Sequence, residues 1–207
     1  GPTNGINPLV GVTIDYYLPH DVKPSDTLEL TILNEFGDAI RSYTSIKDET
    51  FQSWPGGPVP KQVLPMGKGM NRFNWDLRRE EIPSIEGVFV FGSPVGAMVG
   101  PGTYRAQLSY KGQVQEQMIE VLADPRIDAT EADYRYQQEL LNQLDKAVRD
   151  IHGSIIRVQA ARGQLEALAE HIPAEEQYAA LTERAKALAK GLSEWEAELI
   201  QPKQKTF

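Results

Sequence analysis

Glycine and proline thin out abruptly at Asp124-Pro125. Fourteen of the 17 glycines and 11 of the 14 prolines precede Pro125, and only three of each follow Asp124. Turn residues set at short intervals between brief apolar runs mark an all-β region. Their near absence from a Leu/Ala/Glu-rich stretch marks long helices. The chain is therefore expected to be α+β in two segregated parts, with residues 1–124 a β domain and residues 125–207 a helical domain. Acidic residues outnumber basic ones 15 to 10 up to Asp124 and 14 to 11 beyond it. Neither part reads as a charged tail, so both are expected to fold.

The first part contains about seven short runs of strand character. Val12, Ile14, Tyr16 and Leu18 alternate with polar positions until Pro19, which cannot donate to a ladder. Leu28, Leu30 and Ile32 repeat the pattern. A turn at Asn34-Glu35-Phe36-Gly37-Asp38 leads into residues 39–44. Further strands are expected at residues 71–76, where Phe73 and Trp75 share a face, and at residues 88–91. Residues 103–110 and 113–122 pair across Lys111-Gly112, a two-residue hairpin turn. Seven such strands fit an immunoglobulin-like antiparallel β-sandwich without its Cys–Trp–Cys signature.

The second part opens with Asp128-Ala129-Thr130-Glu131, where Asp128 is the expected helix cap and Glu131 its reciprocal partner. A 3-4 apolar seam runs through Tyr134, Leu141, Leu144, Val148, Ile151, Ile155, Val158, Leu165 and Ile172, interrupted by Gln137, Arg162 and Ala169. Pro173 is the expected first residue of a second helix of about 26 residues, placed by its fixed φ and missing N–H. Its seam is Tyr178, Leu181, Ala185, Leu188, Leu192, Trp195 and Leu199, and Pro202 ends it. Two seams around a tight break read as an antiparallel helical hairpin of coiled-coil type. A continuous first helix carries Gly153 at a cost of about 1 kcal/mol; a break at residues 152–154 would instead make three helices. Leu140, Ala147, Ala161 and Leu168 widen the first apolar face, and Ala180 and Ala187 the second. Leu140, Ala147, Leu168, Ala180 and Ala187 are accordingly the candidate interface residues, and self-association through the hairpin is expected.

Several function classes fall away on composition. A formal charge of −8 and an isoelectric point near 5.0 argue against a nucleic-acid partner, which needs a basic face. No apolar run approaches the ~18 residues of a membrane span. With no cysteine there is neither a disulfide framework nor a thiolate metal site. His20, His152 and His171 have no i, i+3 or i+4 spacing among them, so no helical metal site is expected, and no cofactor motif is present. A glycosidase needs two carboxylates about 5–10 Å apart. Asp76, Glu80, Glu81 and Glu86 lie in or beside one long connection, but Asp76 follows a core-type Trp and the glutamates read as ordinary loop solvation. No catalytic residue is assigned.

Two features suggest binding. Phe51 and Trp54, in Phe51-Gln52-Ser53-Trp54-Pro55-Gly56-Gly57, offer flat apolar faces of the kind that stack on sugar rings. The same rings would serve equally to cover neighbouring structure. Arg72, Arg78 and Arg79 surround Trp75-Asp76-Leu77 and would suit an acidic sugar or partner carboxylate, or simply pair with nearby acids.

Residues 11–19, 28–32, 69–76 and 101–104 resemble immunoglobulin-like modules of flagellar hook-capping proteins and type IX sorting domains. Joined to Asp124-Pro125-Arg126 and a long helix, they are similar to the C-terminal region of exported bacterial sortilin-like proteins. Those proteins carry BNR-repeat β-propellers and are labelled glycosyl hydrolases. The resemblance covers nearly all of the chain, and residues 70–78 and 124–126 are its most specific stretches. It implies an extracytoplasmic, non-catalytic module whose partners are the propellers of a larger protein. A carbohydrate-binding module with Trp54 as platform is the alternative, and an enzyme would require a paired-carboxylate cleft.

Overall fold

The computed structural model describes residues 9–20, 22–23, 25–89 and 95–200. It is α+β, with antiparallel sheets followed by two helices. Among the described residues there are six strands: β1 (Val12–Leu18), β2 (Leu28–Leu33), β3 (Ala39–Thr44), β4 (Gly69–Trp75), β5 (Gly102–Tyr110) and β6 (Gln113–Val121). Helix α1 spans Glu131–His171, a 3-10 turn spans Glu176–Tyr178, and α2 spans Ala179–Leu199. No described helix is long and apolar enough to cross a membrane. The chain forms two compact units. The first is Gly1–Phe51, Pro60–Glu81 and Val95–Asn142; the second is Gln52–Val59, Ile82–Pro94 and Gln143–Phe207.

In the first unit β1 pairs with β4, and β3-β2-β5-β6 form a four-stranded sheet. Alternation sets what is buried: Leu28, Leu30 and Ile32 of β2 are wholly inaccessible, while Glu29 between them is exposed. Both sheets feed one core, to which β1 gives Tyr16 and Leu18, β4 gives Phe73 and Trp75, and β5 and β6 give Ala106 and Ile119. Tyr43 of β3 meets Phe73 edge-on at 4.6 Å, and Trp75 meets Tyr104 edge-on at 5.5 Å. The Trp75 indole donates to the Arg78 carbonyl at 2.9 Å, so its one polar atom is satisfied inside. Gly11 lies so close to β4 that a Cβ there would sit 2.0 Å from the Trp75 carbonyl oxygen, and its φ of 125° suits only glycine.

The expected hairpins form. Asn34 Oδ1 accepts the N–H groups of Phe36 and Asp38, closing the β2–β3 turn. Lys111 (φ 51°) and Gly112 (φ 76°) make the two-residue β5–β6 turn. Three local expectations are corrected. Val88 and Phe89 are not in a strand, and Val90-Phe91 lie outside the described residues. Val88 instead packs with Ile85 and Ile155 in the second unit. The α1 cap is Thr130 rather than Asp128. Its hydroxyl accepts from Asp133 N–H, and the Asp133 carboxylate accepts from Thr130 N–H, because turns at residues 124–129 delay the helix to Glu131. Pro173 precedes a 3-10 turn instead of opening α2, which begins at Ala179 and has 21 residues. Pro202 lies outside the described residues.

Helix α1 is continuous through Gly153 for 41 residues. In the second unit Ile155 is fully buried against Ile85 and Val88, with Ile200 alongside. The expected α2 seam is rotated. Ala185, Ala189 and Glu196 are buried, whereas Leu181, Leu188 and Trp195 are 41–53% exposed.

Trp75→Ala is expected to cost about 3–5 kcal/mol, since it empties a fully buried site and removes an aromatic contact. Urea denaturation checks this; an unchanged midpoint would place Trp75 outside the core. Burial also pushes the phenols of Tyr16 and Tyr43 up to about 12. The unfolded chain releases these protons near pH 10 while the folded chain still holds them, so stability should fall as pH rises from 10 toward 12. The loss is about 2–3 kcal/mol per tyrosine. The double variant Tyr16→Phe/Tyr43→Phe should show a flatter alkaline limb in urea melts between pH 8 and 11.5, and an unchanged slope would refute the assignment.

Candidate functional site

Strand β4 alternates, so Arg72 points away from Phe73 and Trp75. Its register partner across the sheet is Asp15. Arg72 Nε and Nη2 donate to the two Asp15 oxygens at 2.7 and 2.8 Å, a bidentate pair on an exposed face. The guanidinium holds the Asp15 carboxyl below its ordinary range, chiefly through its hydrogen bonds. Arg78 and Arg79 follow β4 and engage other groups. Arg78 Nη1 donates to the Gly96 carbonyl at 3.1 Å, and its backbone N–H donates to Asp76. Arg79 Nη2 donates to Gln138 Oε1 at 3.3 Å. The three arginines have separate partners.

A buried cation emerges instead at Arg41 on β3, which is 8% exposed. Arg41 Nη2 donates to Glu81 at 2.8 Å, Nη1 donates to the Arg79 carbonyl at 3.1 Å, and the guanidinium carbon lies 5.0 Å from the Tyr43 ring centroid. Burial works against its charge, but the Glu81 hydrogen bond and the surrounding carboxylates hold its pKa above the ordinary value. Glu80 accepts the Ser42 N–H at 3.3 Å and pairs with Lys61 at 3.6 Å. Glu80 and Glu81 thus fasten the chain after β4 to β3. Glu86 lies in the second unit.

Trp54 also belongs to the second unit. It is half-buried, its indole N–H donates to the Val88 carbonyl at 2.9 Å, and a Cβ on Gly57 would fall 2.5 Å from its ring. One face of the indole is therefore lined by backbone. Phe51 is half-buried in the first unit. His152 Nδ1 contacts the Pro83 carbonyl at 2.7 Å, and His171 Nδ1 contacts the Ala167 carbonyl at 2.7 Å. Among the described residues no three His, Cys, Asp or Glu side chains are grouped to hold a metal ion. Two grooves on the first unit, of about 350 and 360 Å³, are lined by residues such as Asp26, Glu29 and Lys111, and Val12, Ile14 and Ile119. None of Phe51, Trp54, Arg72, Arg78 or Arg79 lines either.

In the second unit Arg162 of α1 pairs with the buried Glu196 of α2, and Gln159 Nε2 donates to the other Glu196 oxygen at 2.6 Å. The sequence does not pair these two residues, although an arginine breaking an apolar seam is the signal for such a pair. A cation there requires a carboxylate facing it. The interface candidates Leu140, Ala147, Leu168, Ala180 and Ala187 are all exposed. Compared with sequence families, curated proteins and solved structures, the chain has no match in any of the three.

Arg162→Met should lower stability by roughly 3 kcal/mol, because the buried Glu196 carboxylate loses its charge partner. Arg162→Met combined with Glu196→Leu should recover most of that loss. Denaturant melts of both variants decide it; a double variant as unstable as the single would show that the two side chains are not coupled.

Proposed function

We propose that the chain is a non-catalytic structural and interaction module of a larger exported multidomain protein. In this reading the first part is an immunoglobulin-like sandwich, supported by two antiparallel sheets sharing one core. The second part is an antiparallel helical hairpin, supported by the reach of Gln159 and Arg162 to Glu196 across a short connection. Export and the propeller-bearing parent rest on the resemblance carried by residues 70–78 and 124–126.

The observation that carries the non-catalytic reading is the engagement of the carboxylates nearest to a catalytic pair. Glu81 is tied to Arg41, and Glu80 to Ser42 and Lys61. Glycosidase chemistry needs one acid free to protonate a leaving group and a second facing the sugar. A glycan-binding role for Trp54 has less support, because its N–H and one ring face already meet the protein.

The purified chain should release no aryl leaving group from a panel of aryl glycosides and give no signal above background on a glycan array. Turnover abolished by Glu80→Gln, Glu81→Gln or Glu86→Gln would replace this reading with an enzymatic one. Array binding lost with Trp54→Ala would replace it with carbohydrate recognition.

A further inference from the structure

Helix α2 turns its small and polar side inward and leaves Leu181, Leu188, Trp195 and Leu199 between 41% and 53% exposed. Leu181, Leu188 and Trp195 recur every seven residues, so they form one stripe along the helix. Ile151 and Leu168 of α1, 47% and 48% exposed, add to the apolar surface of the same unit. At roughly 90 Å² apiece the four side chains of α2 present about 350 Å², a size at which an exposed apolar patch often has a function. With its polar rim such a patch suits a small, reversible pair, below the ~800 Å² per partner of a standard interface.

Charge along α2 selects the occupant. Its first half carries Arg184, Lys186 and Lys190 against Glu183 alone, while its second half carries Glu194 and Glu198 and no base, Glu196 being buried against Arg162. Two copies laid parallel would set like charges together; laid antiparallel, they set opposite charges together. Arg184 and Glu198 both flank the stripe, each seven residues from Gly191. Among the described residues neither has an ion-pair partner. A two-fold axis at Gly191 therefore brings Arg184 against Glu198 of the second copy, twice by symmetry. Gly191 is exposed, and an added Cβ would meet nothing within 4 Å, so the two backbones can approach at the axis. With a net charge of −8, copies repel unless such alternation overcomes it.

We propose that α2 is the interface of a homodimer in which two copies pair antiparallel about a two-fold axis at Gly191. This holds whether or not the chain has an activity. Sedimentation equilibrium of the whole chain, up to roughly 100 µM, should show a reversible dimer. Leu188→Glu should weaken it by at least about 30-fold, and Arg184→Glu or Glu198→Arg by about tenfold each. The combined swap Arg184→Glu/Glu198→Arg should return the affinity to near its starting value, which no other register or partner would do. These side chains are exposed, so unchanged circular dichroism melts confirm that each variant folds. A monomer throughout the range, a dimer indifferent to Leu188→Glu, or a double swap no tighter than the single ones would each overturn the proposal.

Discussion

The inner row of β2 is the constraint on which the first unit rests. Leu28, Leu30 and Ile32 are wholly buried, and β2 is hydrogen-bonded on both sides, to β3 and to β5. A slip of one residue would carry all three to the opposite face and bring Glu29 inside. Once that row is placed, the partners follow. Leu30 faces Tyr43 on one side and Leu108 on the other, and Tyr43 then meets Phe73 of the second sheet. Arg41, two residues before Tyr43 on the same side of β3, becomes buried as a consequence, and Glu81 must answer its charge.

The second unit is held together differently. Among the described residues its buried apolar cluster is Ile85, Val88 and Ile155, and α2 adds the buried Ala185, Ala189 and Glu196. At such an interface a single buried ion pair has more influence than in a deep apolar core. Sliding α2 along α1 would leave the Glu196 carboxylate buried away from Arg162 and Gln159, so one register is favoured over its neighbours. The unit is also completed by segments that precede the helices by many residues. Trp54 reaches the Val88 carbonyl, and His152 meets the carbonyl of Pro83.

Engagement of polar groups separates candidate sites from structural ones in this molecule. Arg72, Arg78 and Arg79 are close in sequence, yet strand alternation and the end of β4 direct them to Asp15, to the Gly96 carbonyl and to Gln138. A basic cluster in the sequence becomes three separate fastenings. Among the described residues Arg184 and Glu198 have no ion-pair partner, and they lie beside an apolar stripe. That combination of open charge and open apolar surface is what association uses.

Local pattern alone determined the α+β division, six of the seven expected strands, and the Asn34–Asp38 and Lys111-Gly112 turns. Each depends on period-2 or period-3.6 alternation, or on residues able to take positive φ, and these are properties of neighbouring residues. Tertiary structure decided the rest. Val88 has strand propensity, but a buried position beside Ile155 claims it for the second unit. The a/d spacing of α2 names a stripe without saying which edge of it faces α1; in the structure Ala185, Ala189 and the ion-paired Glu196 are buried while Leu188 and Trp195 are exposed. Arg41 was likewise invisible as a buried cation, because an arginine on a strand is ordinarily solvated and only the chain returning after β4 covers it. Periodicity specifies which side chains share a face, but the partner that covers a face comes from far along the chain, and only packing selects it.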